Sequence, residues 1–174
     1  MKKRSHFFRW ALLVLLLAFV VYYVYPEPKL PANAVVDKLL VYKSERKMEA
    51  YSNGVLLKSY TISLGGNPKG AKVYEGDRKT PEGIYTIKDK NPNSGYHKNL
   101  GISYPNKQNR ARAKELGRPV GGAVKIHGLR NGIGFIGKFQ RWYDWTNGCI
   151  ALTNQEVDEL YRSVKVGAEI VIKP

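Results

Sequence analysis

The stretch DWTNGCIALTN, residues 144–154, holds the only cysteine of the 174-residue chain, Cys149. Gly148 precedes the cysteine, and a short strand or turn is predicted to follow it. Thr153 then stands three residues before Glu156, which is the spacing of a capping box at the start of a helix. The stretch therefore predicts a cysteine in a glycine-containing turn, shortly before a capped helix.

A single cysteine excludes an intramolecular disulfide, and it excludes a cysteine-rich zinc site, which needs several thiolates at fixed spacing. The three histidines, His6, His97 and His127, are scattered along the chain and form no metal-ligand pattern. We therefore predict no metal site.

Outward from this stretch, the chain from Val35 onward reads as one β-rich domain, for which the length is sufficient. Asn53-Gly54 is a strong hairpin signal because both residues tolerate positive φ. Strands are predicted over residues 38–44, 47–52, 55–65, 84–90, 122–129 and 167–174, helices over 108–117 and 153–164, and loops over 91–106 and 132–149. This pattern predicts a mainly β fold with two short helices packed on a sheet or barrel.

The N-terminal segment is predicted to be membrane-directed. Residues 1–10, MKKRSHFFRW, are basic, and residues 11–25 are apolar and aromatic. With Phe7 and Phe8, the apolar run approaches the roughly 20 residues that a membrane-spanning helix needs. A cleaved signal peptide is the alternative, but the run ends in the bulky YYVYPEP rather than in small residues. We predict an uncleaved single-pass anchor whose basic end stays in the cytoplasm.

These features divide the chain into an anchor at residues 1–25, a stiff proline-containing linker at 26–34, and an extracytoplasmic domain at 35–174. Four of the 29 Lys and Arg precede residue 26, so 25 of them stand against 14 acidic residues in the remainder, a net charge of +11. A domain outside the cytoplasm rarely meets nucleic acid, so we predict none as partner. Anionic wall polymers or acidic lipid headgroups fit the charge better. The alternative is a surface whose charge serves only solubility.

Upstream of the cysteine, the segment KIHGL, residues 125–129, carries His127 at the end of a predicted strand. A thiol becomes a nucleophile when a histidine or a backbone dipole stabilises its thiolate. Gly148 allows the backbone to approach a substrate, and the amides of Gly148 and Cys149 would then face a developing oxyanion. The alternative is a buried, inert cysteine and an ordinary core or surface histidine. Spacing alone leaves both interpretations open.

Four motifs taken together are more specific than the spacing of His127 and Cys149 alone. IHG at residues 126–128 and TNGCI at 146–150 stand with GDRKTPEGIYTI at 76–87 and VGAEIVI at 166–172. Together they resemble the L,D-transpeptidase catalytic domain of the YkuD type, over about residues 35–172. The resemblance implies a β-rich sandwich or barrel, in agreement with the predicted strands, and no metal or organic cofactor.

The resemblance also implies roles for individual residues. Cys149 matches the nucleophile that attacks an amide of a peptidoglycan stem peptide, and His127 matches the histidine that takes the thiol proton. Gly128 matches the position whose carbonyl orients the imidazole. Gly148 matches the glycine of the oxyanion region, where Asn147 is a further candidate hydrogen-bond donor.

Two positions depart from the common pattern of the family. Asn147 stands where many members have histidine, and Ala151 stands where many have an arginine or asparagine that could pair with a substrate carboxylate. Lys125, Arg130 and Arg141 are candidates to replace that group. The candidate substrate-binding residues are therefore His97, Tyr104, Arg130 and Arg141, with Lys125 beside them.

The sequence thus predicts a membrane-anchored cysteine acyltransferase with an extracytoplasmic domain that cross-links peptidoglycan stem peptides. One alternative is a cysteine amidase or carboxypeptidase of the same fold, in which water replaces the acceptor amine. Another is a non-catalytic wall-binding module whose positive charge supplies the affinity.

Overall fold

The fold is built on one eight-stranded sheet, in a computed structural model that describes residues 2–174. The strands are β1 (Val36–Tyr42), β2 (Lys47–Ser52), β3 (Val55–Thr61), β4 (Gly83–Ser94), β5 (His97–Ile102), β6 (Lys125–His127), β7 (Ile150–Ala151) and β8 (Val164–Lys173). The helices are α1 (Lys2–Val24), α2 (Lys107–Glu115) and α3 (Asn154–Ser163), together with a 3-10 segment, Gly134–Trp142.

The strands lie in the order β3-β2-β1-β8-β4-β5-β6-β7, and the sheet is curled into a half-barrel. β1 pairs with β8 and β6 pairs with β7 in parallel, and the other neighbours are antiparallel. Ser63, just beyond β3, exchanges backbone hydrogen bonds of 3.0 and 2.8 Å with Ala151 in β7. This bridge connects the segment after β3, at one edge of the sheet, to β7 at the opposite edge. The predicted mainly β fold is confirmed.

The hairpin between β2 and β3 forms where the sequence predicts it. Asn53 and Gly54 both have positive φ, 48° and 80°, as a two-residue turn between antiparallel strands requires. The Asn53 N–H also donates to Asp37 Oδ2 at 2.8 Å. The turn is therefore specified locally, by two residues that enter the left-handed region at little cost.

The two predicted helices of the domain are both present. In α3 the Thr153 hydroxyl accepts from the Glu156 N–H, and the Glu156 carboxylate accepts from the Thr153 N–H, which confirms the predicted capping box. Val157 and Leu160 on the inner face of α3 are fully buried. This apolar face packs mainly on β5 and β6, next to the candidate site.

Two predicted loops are wrong in part. Within residues 91–106 the chain completes β4 and forms β5, and within 132–149 it forms the 3-10 segment. The distal part of the β4–β5 hairpin is exposed and polar, with irregular register between Asn91 and Ser94, so the hydrophobic alternation of a strand is absent. Backbone pairing holds it nevertheless, and backbone pairing leaves no mark in the side-chain pattern.

α1 is one apolar helix long enough to be a candidate membrane span, with a mean hydropathy of 2.2 over His6–Val24. Its C-terminal end contacts the 3-10 segment: Tyr23 donates to the Phe135 carbonyl at 2.6 Å and stacks on Phe139. Beyond the helix, Leu30 packs against the core. The predicted linker therefore contacts the domain at Glu27, which pairs with Arg141, and at Leu30.

Candidate active site

Two short parallel strands bring the predicted histidine and cysteine to one side of the sheet. β6 and β7 pair with Ile126 opposite Ile150 and His127 opposite Ala151. The two isoleucines are fully buried in the core. Because successive side chains of a strand point to opposite faces, His127 and Cys149 share the face that lies away from these isoleucines.

Cys149 and His127 line the same cavity, which has a volume of about 400 Å³. Its walls come from the turn between β4 and β5, from β5 and β6, and from the loop before β7. The lining residues are Ser94, Gly95, Tyr96, Asn99, Ala123, Lys125, His127, Trp145, Thr146, Asn147 and Cys149. Cys149 is partly exposed and Asn147 is exposed, so solvent and substrate can reach the thiol.

The imidazole of His127 is held in a fixed orientation. Its Nδ1 lies 2.7 Å from the Gly128 carbonyl oxygen. A carbonyl can only accept, so Nδ1 carries the proton and Nε2 keeps its lone pair. Tyr96 and Trp145 contact the ring at centroid distances of 4.8 and 5.6 Å. These contacts leave His127 buried and present Nε2 as a base.

Burial sets the protonation states of the pair. It lowers the pKa of His127, against the opposing effect of the Gly128 carbonyl, and the positive charge of Lys125 lowers this pKa further. Burial raises the pKa of the Cys149 thiol, against the Lys125 N–H and the charges of Lys125 and Lys72. At neutral pH the directions of both shifts favour a neutral thiol and a neutral imidazole.

The turn before Cys149 is fixed by Thr146. Its hydroxyl accepts from the Gly148 N–H at 3.1 Å and donates to the Cys149 carbonyl at 2.8 Å. Gly148 has φ +124°, and a Cβ there would stand 2.5 Å from the Lys79 carbonyl oxygen, so this position requires glycine. The Gly148 N–H, predicted to face an oxyanion, donates to Thr146 Oγ1 in this arrangement.

The catalytic-domain model of the L,D-transpeptidase family, YkuD, matches residues 36–172. The chain belongs to this family. Escherichia coli (strain K12) has a relative named "Putative L,D-transpeptidase YafK", 32% identical over 140 residues, which cover 77% of this chain and 49% of YafK. The chain spans about half the length of the curated relatives it matches.

Solved structures share the fold of this L,D-transpeptidase domain. Pgp2 of Campylobacter jejuni, described as a helical cell shape determining protein, superimposes with a TM-score of 0.58 at 25% identity, covering 84% of this chain and 52% of that one. An L,D-transpeptidase from Mycobacterium smegmatis gives a TM-score of 0.51 at 17% identity, covering 78% and 58% of the two chains. The second likeness shows the fold alone.

Arg141 was predicted to bind substrate, and this prediction is wrong for the L,D-transpeptidase cavity. Its guanidinium is buried outside the cavity and donates to Glu27 and Glu156, both at 2.7 Å. Glu156 is also the capping-box residue of α3. Arg141 therefore fixes the linker and the start of α3, and its charge is already neutralised.

Three other predicted substrate residues also lie outside the cavity. His97 places Nε2 3.0 Å from Asp158, and Tyr104 is buried and donates to the Val120 carbonyl at 3.2 Å. Arg130 is exposed in the turn after β6. Of the candidate replacements for the missing basic group, Lys125 alone lines the cavity.

Sequence reasoning missed Thr146 and Asn99 as members of the site. Asn99 is opposite His127 in the β5–β6 register, but it lay within a predicted loop, where no register could be assigned. Thr146 had a usable signal, since a hydroxyl two residues before a glycine can satisfy the turn backbone. Within residues 2–174, no group of three or more His, Cys, Asp or Glu is placed to hold a metal.

Proposed function

We propose that this chain is a peptidoglycan L,D-transpeptidase in which Cys149 is the nucleophile and His127 the base. The observation that carries the proposal is the pairing of groups in one cavity of an L,D-transpeptidase domain. The only thiol of the chain and an imidazole with a free Nε2 line that cavity together.

In the first half-reaction, His127 Nε2 takes the proton of Cys149 as the sulfur attacks the carbonyl that follows the L-centre of the diamino acid in a tetrapeptide stem. The bond to the terminal D-alanine breaks, and the imidazolium protonates the leaving amine. The stem peptide is left as a thioester on Cys149. A neutral imidazole is the form that this step needs, and burial favours it.

In the second half-reaction, an amine of another stem attacks the thioester carbonyl. His127 accepts the proton of that amine, the Cys149 thiolate leaves, and the imidazolium returns the proton to the sulfur. The product is a peptide cross-link, and the enzyme returns to its starting state. The same histidine thus acts as base and then as acid in each half-reaction.

The oxyanion is expected to be stabilised from the turn before β7. Across residues 2–174, the backbone hydrogen bonds assign no acceptor to the Cys149 N–H. Asn147 lies beside it on the cavity wall. We assign the Cys149 N–H and Asn147 to this role, in place of the Gly148 N–H that Thr146 accepts.

We further propose that α1 anchors the domain to the outer side of the cell membrane. The helix begins with the basic residues Lys2, Lys3 and Arg4, and its apolar stretch His6–Val24 leaves most large side chains exposed. The name of Pgp2 refers to cell shape, and wall cross-linking by this chain would give it a part in shape as well.

The experiment is mass spectrometry of the full chain in detergent, mixed with purified disaccharide-tetrapeptide, with Cys149→Ala alongside. Loss of D-alanine with a cross-linked dimer, absent in the variant, is the expected result. A tripeptide product without a cross-linked dimer would show that the chain is a carboxypeptidase and not a transpeptidase. No product, with tetrapeptide binding retained in Cys149→Ala, would favour a wall-binding module instead.

A further inference from the structure

Lys125 stands out among the described residues that line the Cys149 cavity, because it carries the one fixed charge there. No aspartate or glutamate lines the cavity. Among the ion pairs of residues 6–174, none includes the Lys125 ammonium. Lys72 on the other side of the turn differs: it is buried against Asp77 and the Tyr74 carbonyl at 2.8 and 3.0 Å. Lys72 is structural, whereas Lys125 has its charge available for a ligand.

The strand register places Lys125 beside the nucleophile. In the antiparallel pair β5–β6, Gly101 is opposite Lys125 and Asn99 is opposite His127. On the other side of β6 the register of β7, extended by one residue pair, puts Cys149 next to Lys125. Lys125 therefore lies between a glycine and the reacting thiol, two residues before the base on the same face.

Asn99 supplies a second unpaired group. Its side chain is only 2% exposed, it lines the cavity, and its Oδ1 has no hydrogen-bond partner. A buried amide oxygen without a donor is unfavourable, so it marks a position where a ligand N–H is expected. The polar stem peptide of the proposed reaction has such N–H groups.

We propose that Lys125 and Asn99 form the acyl-donor subsite. The Lys125 ammonium pairs with a carboxylate of the donor stem, and Asn99 Oδ1 accepts a peptide N–H of the same stem. This inference rests on the proposed function. It explains how a chain with Ala151 at the position of the missing basic group can still hold an anionic donor.

The donor has two kinds of carboxylate that would satisfy this chemistry. The terminal D-alanine carboxylate lies one residue beyond the scissile carbonyl, about 3.5 Å of extended chain. A side-chain carboxylate of the diamino acid lies farther from that carbonyl. Because Lys125 is next to Cys149 in the register, we assign the terminal carboxylate, and a free C-terminus then becomes a requirement for the donor.

The test is a cycle that combines a protein change with a substrate change, in the full chain in detergent. D-alanine or D-alaninamide release is measured for the tetrapeptide, for its C-terminal amide, and for a stem whose diamino acid carries no side-chain carboxylate. The proteins are the unaltered chain, Lys125→Ala and Lys125→Arg. Lys165→Ala, an exposed residue of β8 outside the cavity, is the control for lost net charge.

For the tetrapeptide, Lys125→Ala is expected to raise KM roughly 10- to 100-fold, the range for one hydrogen bond to a charged group. Lys125→Arg should recover most of this loss, and Lys165→Ala should show none. The C-terminal amide should have the raised KM already in the unaltered chain, with no further rise in Lys125→Ala. If instead only the stem without the side-chain carboxylate has a raised KM that Lys125→Ala does not raise further, the side-chain carboxylate is the ligand. Additive losses for both substrates would overturn the proposal.

Binding separates this inference from the proposed reaction. In a Cys149→Ala background, isothermal titration with the tetrapeptide and its amide gives affinity without turnover. Weaker binding on adding Lys125→Ala, seen with the acid and absent with the amide, supports the subsite even if the chain forms no cross-link. Binding unaffected by Lys125→Ala overturns the subsite even if the chain is a transpeptidase.

Asn99→Ala tests the second group with a readout that a structural residue would not give. Removing an unpaired buried polar atom should leave the melting temperature unchanged or higher. The same change should raise KM for the tetrapeptide several-fold, because the stem loses an acceptor. A lower melting temperature with unchanged KM would show that Asn99 is a structural residue.

Discussion

Two cavities of this domain differ in how their charged walls are satisfied. The larger, of about 540 Å³, lies between the linker, the 3-10 segment and α3. Most of its charged lining residues are in ion pairs, among them Lys58 with Glu159 at 2.6 Å and Glu27 and Glu156 with Arg141, whereas Lys29 and Arg162 are in none within the described part of the chain. The smaller cavity holds Cys149, His127, an unpaired Lys125 and an unsatisfied Asn99.

The difference indicates what each cavity does. Polar groups that already have partners gain little from a ligand, whereas an unpaired cation and a buried amide oxygen gain a partner when a ligand binds. We therefore propose a structural role for the larger cavity and assign the chemistry to the smaller one. The following predictions test that assignment in both cavities.

The largest effect is expected at the nucleophile. Cys149→Ala should reduce D-alanine release roughly 10⁴-fold or more, because the covalent route is lost. The melting temperature should stay close to that of the unaltered chain, since the thiol lies on the cavity wall rather than in the core. Product analysis together with thermal unfolding measures both. If a folded Cys149→Ala protein still releases D-alanine, the reaction does not take place in the smaller cavity.

Arg141, whose partners Glu27 and Glu156 line the larger cavity, gives the matching test there. Arg141→Ala leaves the Glu156 carboxylate buried without its cation, so the free energy of unfolding should fall by about 3–5 kcal/mol. Denaturant titration measures the loss, and KM of the folded fraction should be unchanged. Arg130→Ala, at an exposed position, should change stability by less than about 0.5 kcal/mol. An Arg141→Ala protein with unchanged stability and a raised KM would show that Arg141 binds substrate.

The protonation states give a pH test of the smaller cavity. The pKa of Cys149 is raised above its ordinary 9.0, and that of His127 is lowered below its ordinary 6.5, in each case chiefly by burial. Alkylation of Cys149 by iodoacetamide should therefore be slow at neutral pH and rise only above pH 9. The acylation rate needs neutral His127, so it should stay level near neutral pH and fall only well below pH 6.5.

A preformed ion pair would give a different profile. Fast alkylation already at pH 6, with little further rise up to pH 9, would show a thiolate held by an imidazolium. The alkylation of Lys125→Ala is a matched control. The charge of Lys125 lowers the pKa of the thiol, so its removal should move the alkylation profile to higher pH.

The strength of sequence reasoning differed along the chain for physical reasons. The Asn53-Gly54 turn and the Thr153 capping box depend on local backbone conformation, and both formed as predicted. β5 depends on backbone pairing with β4 and β6, and its polar sequence resembles a loop. Because β5 was not predicted, the position of Asn99 opposite His127 was not predicted either. The two residues are neighbours only in the register of the sheet.

Charged residues show the same limit more sharply. Lys125 and Arg141 looked equivalent as replacements for the missing basic group near Ala151. What separates them is the position of partners far away in the sequence: Glu27 lies in the linker, more than a hundred residues before Arg141, and reaches it only in the folded chain. No pattern within a local window reports such a pair.

The smallest effect is expected at His97, which the sequence offered as a substrate residue. His97 shares Asp158 with Lys98, whose ammonium lies 2.7 Å from the same carboxylate oxygen. His97→Gln therefore leaves Asp158 with a cation, and the loss of stability should be at most about 1 kcal/mol. KM for the tetrapeptide should not change, because His97 is outside the Cys149 cavity. A several-fold rise in KM without a change in unfolding would mean that the donor peptide extends past Tyr96 to the start of β5. The ion pair of His97 with Asp158 would then belong to the substrate site.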